Sequence, residues 1–148
     1  MMPLLGIASL MTIDTPADEP PLGRITGLGG VFFKSANPKK IAAWYREILG
    51  IGVEGWDGAM LPHDTPGHPA FAIWSPFAAD TDYFEPGTAS YMVNFAVDDL
   101  DAFLMRLKAK GVEPVARDDS DPNGKFAWLI DPEGTKIELW QAVEEDDD

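Results

Sequence analysis

Three polar side chains stand in runs that read as apolar strands: Lys34 in VFFKS, Asn94 in YMVNFAV and Glu138 in KIELWQ. A carboxylate sheltered from water can act as a general base, and a lysine beside it can polarise a substrate oxygen. The same two groups can instead form a structural ion pair, because a buried charge needs a partner. Asn94 can contact a ligand or only satisfy backbone groups. The chain has two histidines, His63 and His68, both in the loop-like stretch LPHDTPGHP. There they read as turn-capping or solvent-facing groups. His68 has two further readings, as an acid–base or ligand contact and as half of a displaced metal pair with Glu138. There is no cysteine, which excludes disulfides, thiolate nucleophiles and zinc–thiolate sites. GLGG lacks the spacing of a phosphate loop, and no Ser-His-Asp set can be assembled with any specificity.

The elements that must hold these residues come as one unit written twice. In the first, the short strand GGVFFKS is followed by Asn37-Pro38, an N-cap with proline at the first helical position. Ile41, Trp44, Tyr45 and Ile48 recur at helical spacing, and Gly50 stops the helix. Strands are expected at Gly52–Trp56, Ala59–Leu61 and Ala70–Ser75, parted by Pro62, Asp64, Pro66 and Gly67. The second unit opens with the strand SYMVNFAV. Asp98 and Asp99 can cap the next helix, whose Leu100, Phe103, Leu104 and Leu107 form an apolar stripe. Gly111 ends it, and strands follow at Val112–Arg117, Lys125–Ile130 and Lys136–Gln141, the last two joined by the turn Asp131-Pro132-Glu133-Gly134. Val31 then matches Val93, Asn37 matches Asp99, Gly50 matches Gly111, and FAIW at 71–74 matches IELW at 137–140. The pattern predicts an α+β fold of two tandem βαβββ units, at 24–80 and 88–143.

Alternation along the strands assigns their faces. Tyr91, Val93, Phe95 and Val97 share one side, as do Ile137 and Leu139, and this apolar side suits a covering helix. Met92, Asn94 and Ala96, with Lys136, Glu138 and Trp140, share the other. In the first unit Val31 and Phe33 go under the helix, leaving Phe32, Lys34, Ala72 and Trp74 on the open side. The expected cleft is therefore aromatic, with Lys34, Asn94 and Glu138 as its few polar groups, a composition suited to an organic small molecule. Trp74 and Trp140 read equally as plain core or as ligand-stacking rings. Trp44 and Tyr45 read as core. Tyr83 and Phe84, in the segment between the units, can cover the cleft mouth or anchor the linker.

Bulk composition narrows the function classes. The 148 residues suit one domain, and 45% are hydrophobic, enough for a real core. The net charge is −14, of which the tail Glu144–Asp148 carries five, so the body is acidic as well. No basic face is visible for nucleic acid, and an anionic membrane is disfavoured by the same sign. Met1–Ile13 is apolar but lacks the positive start of a secretory signal, and no stretch is long enough to span a bilayer. Residues 1–23 read as an extension with a proline-rich linker and 144–148 as an acidic tail. A cytoplasmic protein is the expectation.

NPKKIAAWYREILGI, VNFAVDDLDAFLMRLKAKGV and FAWLIDPEGTKIELWQ, in that order, resemble the signature segments of the glyoxalase/bleomycin-resistance/extradiol-dioxygenase (vicinal oxygen chelate) superfamily. The resemblance covers residues 25–142. It implies two units whose sheets curl around a shared pocket, homodimers in many members, and one divalent metal held at equivalent strand positions. On this chain those positions fall on Gly30, Met92, Ala72 and Glu138. Glycine, methionine and alanine cannot hold such an ion, so a metal is disfavoured, and no other cofactor is expected. Three functions follow as expectations. The first is a metal-independent binder of a small hydrophobic or aromatic molecule, touching Phe32, Lys34, Trp74, Met92, Asn94 and Trp140. The second is a lyase, isomerase or dioxygenase of the family type, using a rearranged metal or Glu138 as general base. The third is an interaction module acting through the acidic tail.

Overall fold

The computed structural model describes residues 22–144, so the expected extension up to residue 21 and the tail from 145 lie outside the described residues. Contacts divide the chain after Val31. Residues 22–31, taken by themselves, are exposed and form no regular element.

From Phe32 onward the chain is α+β, with a mixed four-stranded sheet and two helices. Helix α1 spans Pro38–Glu47 and starts as its sequence dictates. The Asn37 side chain accepts from the Lys40 amide at 3.1 Å, and Pro38 fills the first position, where its missing N–H costs nothing. Strand β1 is Val93–Ala96 and helix α2 is Leu100–Ala109. Asp99 caps α2 through the Ala102 amide at 3.0 Å, and the Gln141 side chain takes the Leu100 amide at 2.8 Å. Strands β2, β3 and β4 are Ala116–Asp118, Gly124–Ile130 and Lys136–Ala142. The sheet order is β1-β4-β3-β2, with β1 parallel to β4 and the other pairs antiparallel. The second βαβββ unit is thus present element for element.

The odd-numbered face is the core. Leu129, Ile137 and Leu139 are fully buried together with Leu100 and Leu107 of α2 and Ala127 of β3. Trp44, Tyr45, Ile48, Phe95, Phe103 and Leu104 pack against this cluster. Each buried leucine or isoleucine contributes about 1.5–3 kcal/mol, so this face holds the sheet and helices together.

The turn between β3 and β4 is fastened from outside. Asp131 Oδ1 accepts from the amides of Glu133 and Thr135 at 2.8 and 3.0 Å, and Tyr45 donates its hydroxyl to Oδ2 at 2.7 Å. Gly134 closes the turn at φ +85°, a left-handed conformation that favours glycine.

The first unit departs from expectation. Its helix forms, but among the described residues the segments at 29–35, 52–56, 59–61 and 70–75 join no ladder. Each is short and bounded by glycine or proline, and Pro62, Pro66 and Pro69 supply no N–H to a neighbour. Short strands hold only when one face is buried, and here Phe32 and Trp74 are 93% and 78% exposed. No helix among the described residues is long and apolar enough to cross a membrane.

Candidate functional site

Register sets a carboxylate in the middle of the even-numbered face. Glu138 of β4 lies opposite Asn94 on β1 and opposite Trp128 on β3. Cross-strand neighbours on one face come within side-chain reach, and both use it. Asn94 Nδ2 donates to Oε1 at 2.8 Å, and Trp128 Nε1 donates to Oε2 at 2.8 Å. A third donor arrives from the segment between the units: the Tyr83 hydroxyl reaches Oε2 at 2.5 Å. Glu138 is 8% exposed. A carboxylate offers about four acceptor positions, and three are taken.

Lys136, two residues earlier on the same face, is also buried. Its Nζ donates to the Tyr83 carbonyl at 2.5 Å. It also sits 4.9 Å over the Tyr83 ring and 5.5 Å over the Trp128 ring. Tyr83 therefore bridges the two buried charges. Its hydroxyl serves the carboxylate, and its carbonyl and ring serve the ammonium. Burial, then the hydrogen bond to Glu138 and the charge of that carboxylate, push the Tyr83 phenol above the ordinary tyrosine range. Its proton stays on and remains available for donation.

Aromatic rings continue along the face. Phe126 stacks on Trp128 with centroids 6.0 Å apart and on Trp140 at 6.3 Å. Trp140 anchors its indole N–H on the Asn123 carbonyl at 2.9 Å and meets Phe71 at 6.5 Å. Tyr83 stands edge-on to Trp128 at 6.3 Å and stacks on Phe77 at 5.4 Å.

Glu138, Asn94 and Trp140 are brought together as their alternation requires, with the half-buried Met92 just before β1. Lys34, Phe32 and Trp74 are not. All three are exposed, and Lys34 makes no ion pair with Glu138, whose charge is met by Asn94, Trp128 and Tyr83 instead. Without a ladder at 29–35 or 70–75 in the first unit, nothing carries these side chains to the face. Phe71, not Trp74, is the ring that meets Trp140. His68 is not among the partners of Glu138. It is exposed and lines a surface depression of about 290 Å³ with Asp98, Phe103 and Arg106. A second depression, of about 350 Å³, lies beside Leu104, Met105 and Arg117. Neither includes Glu138; Phe71 and Tyr83 lie against Trp140 and Trp128 of that face.

Trp128 and Phe126 complete the site beyond the expected residues, joined by Lys136, which alternation already places on this face. A signal for the first two was present. Pairing β3 with β4 about the Asp131–Gly134 turn sets 128 opposite 138 and 126 opposite 140. Tyr83, expected to cover the cleft mouth or anchor the linker, reaches Glu138 and Trp128 from the segment between the units.

A family model described as a glyoxalase-like domain matches residues 30–140. The chain belongs to that family. The assignment agrees with the α+β fold and supports membership of the vicinal oxygen chelate superfamily. Solved structures similar to this glyoxalase-like domain include a glyoxalase/bleomycin resistance protein from Catenulispora acidiphila, 30% identical, covering 35% of this chain and 47% of that one at a TM-score of 0.32. A glyoxalase family protein from Bacillus anthracis is 25% identical and covers 43% of this chain and 50% of that one at 0.34. TioX from Micromonospora is 18% identical and covers 76% and 93% at 0.43. The chain spans about half the length of the first two. No curated protein matches the sequence.

The metal implied for such a domain finds few donors here. Gly30, Met92 and Ala72 offer no oxygen or nitrogen side-chain ligand, and among the described residues no three His, Asp or Glu side chains gather as a candidate set.

Proposed function

We propose that this glyoxalase-like domain binds a small aromatic or otherwise hydrophobic organic molecule on the aromatic face of its sheet, without a divalent metal. One observation carries the reading: Glu138, the only carboxylate at an expected ligand position, is held by three donors. The N–H and O–H groups around it point their positive ends at its oxygens. A cation there would have to displace them, and a general base would have only one acceptor position left to use. A carboxylate so fixed acts as an anchor, orienting Asn94, Trp128 and Tyr83 beneath a row of rings suited to an organic ligand.

Metal analysis of the purified protein tests half of this. Stoichiometric, tightly held Zn, Ni, Mn or Fe would refute it. Tryptophan fluorescence during titration with an aromatic panel tests the other half, since Trp128 and Trp140 lie within the face. A homodimer, as the resemblance implies, belongs to the same proposal and is tested by light scattering on eluting protein.

A further inference from the structure

Tyr83 is held as a bound ligand would be. Its ring stacks on Phe77 at an interplanar angle of 12°, meets Trp128 edge-on at 89°, and has the Lys136 ammonium 4.9 Å over its centre. Its hydroxyl ends on the buried Glu138 carboxylate at 2.5 Å. The side chain belongs to no helix or strand; it reaches in from the coil and turn segment that joins the two halves of the fold. A phenol is thus enclosed by two aromatic walls, a cation over its face and an anion at its polar end, on a side chain whose backbone is not part of the sheet.

We infer that Tyr83 occupies the ligand subsite of this face, and that the ligand is an electron-rich planar ring bearing an O–H or N–H donor, such as a phenol or an indole. The inference rests on the binding reading above and specifies its ligand class. Each neighbour selects one property. The Phe77 and Trp128 walls demand a flat ring. The ammonium attracts the negative face of an electron-rich ring and disfavours an electron-poor one. The carboxylate accepts from a donor and repels an aryl carboxylate. A ligand enters by swinging the Tyr83 side chain aside and taking over its bond to Glu138, so Tyr83 competes with it.

The test uses the full chain, p-cresol as probe, and toluene, 4-methylanisole and p-toluate as controls. Tyr83→Ala opens the subsite, and p-cresol should bind it at least about tenfold more tightly than any control, the scale expected of a hydrogen bond to a charged acceptor. Wild-type protein should bind p-cresol more weakly than this variant. Tyr83→Phe keeps the ring and the packing but frees one acceptor position on Glu138, so it should bind p-cresol more tightly than wild type even if Tyr83→Ala fails to fold. Equal binding of p-cresol and toluene by Tyr83→Ala, or no gain for Tyr83→Phe over wild type, would overturn the inference and leave the binding reading standing. If neither wild type nor either variant binds any compound from the aromatic panel, the binding reading fails and the inference fails with it.

Discussion

Asn94 and Glu138 face each other across the parallel ladder of β1 and β4, and the amide Nδ2 donates to the carboxylate Oε1 at 2.8 Å. Asn94 is itself exposed, so one end of this pair opens to solvent while the other is buried. The bond fixes the carboxylate plane, and with it the positions at which Trp128 and Tyr83 can donate.

Glu138→Gln should therefore destabilise the fold while keeping its volume. The new amide N–H group would confront the donors from Asn94, Trp128 and Tyr83 already aimed at the site. A loss of about 2–4 kcal/mol is expected, read from urea unfolding with an unchanged m-value. A loss below about 0.5 kcal/mol would mean the three hydrogen bonds carry little net weight.

Tyr45→Phe should cost about 1–2 kcal/mol, because the buried Asp131 Oδ2 would lose its hydroxyl donor. The bond ties α1 to the β3–β4 turn across 86 residues of chain. A double-mutant cycle with Asp131→Asn should show strong non-additivity. Additive effects would place the cost elsewhere.

Stability should fall at alkaline pH. Burial raises the phenols of both Tyr45 and Tyr83 above their ordinary value, helped by hydrogen bonds to Asp131 and Glu138. The folded state then keeps protons that the unfolded chain loses above about pH 10. Their contribution is fully present below that pH and is lost as pH rises beyond it. Thermal unfolding between pH 8 and 11 should show the decline, and Tyr45→Phe with Tyr83→Phe together should flatten it. An unchanged slope in the double variant would assign the decline to other groups.

Divalent cations should leave the protein unchanged. Chelation with EDTA and addition of zinc, nickel or manganese should each shift the melting temperature by less than about 1 °C, since an ion that binds only the folded state would raise it. A saturable rise of several degrees with one ion would identify a site that Glu138 does not predict.

Much of this was legible in the sequence, and the reason is local. The Asp99 cap, the i, i+3, i+4, i+7 stripe from Leu100 and the Asp131–Gly134 turn each fix their element within a few residues, so the second unit could be read strand by strand. Alternation then divided Ile137 and Leu139 from Glu138 and Trp140, as the sheet does. What failed was partner choice. A period of two says which face a side chain takes but not which strand lies beside it, so alternation sets Lys34 and Trp74 on the cleft side without supplying the neighbouring strand that would hold them there. The partner that does reach Glu138, Tyr83, lies 55 residues away in a segment with no periodicity, where a sequence offers only proximity to the linker as a hint.

The most direct measurement of the central claim is a fluorescence titration of the wild-type protein with a panel of phenols, indoles and apolar aromatics, repeated in EDTA. The account predicts at least one compound that quenches tryptophan emission saturably at one equivalent per chain. Its affinity should be the same with and without the chelator and reduced at least about tenfold by Trp128→Ala, which removes a wall of the face. Binding that vanishes in EDTA and returns with a stoichiometric metal, or a panel with no ligand at all, would contradict it.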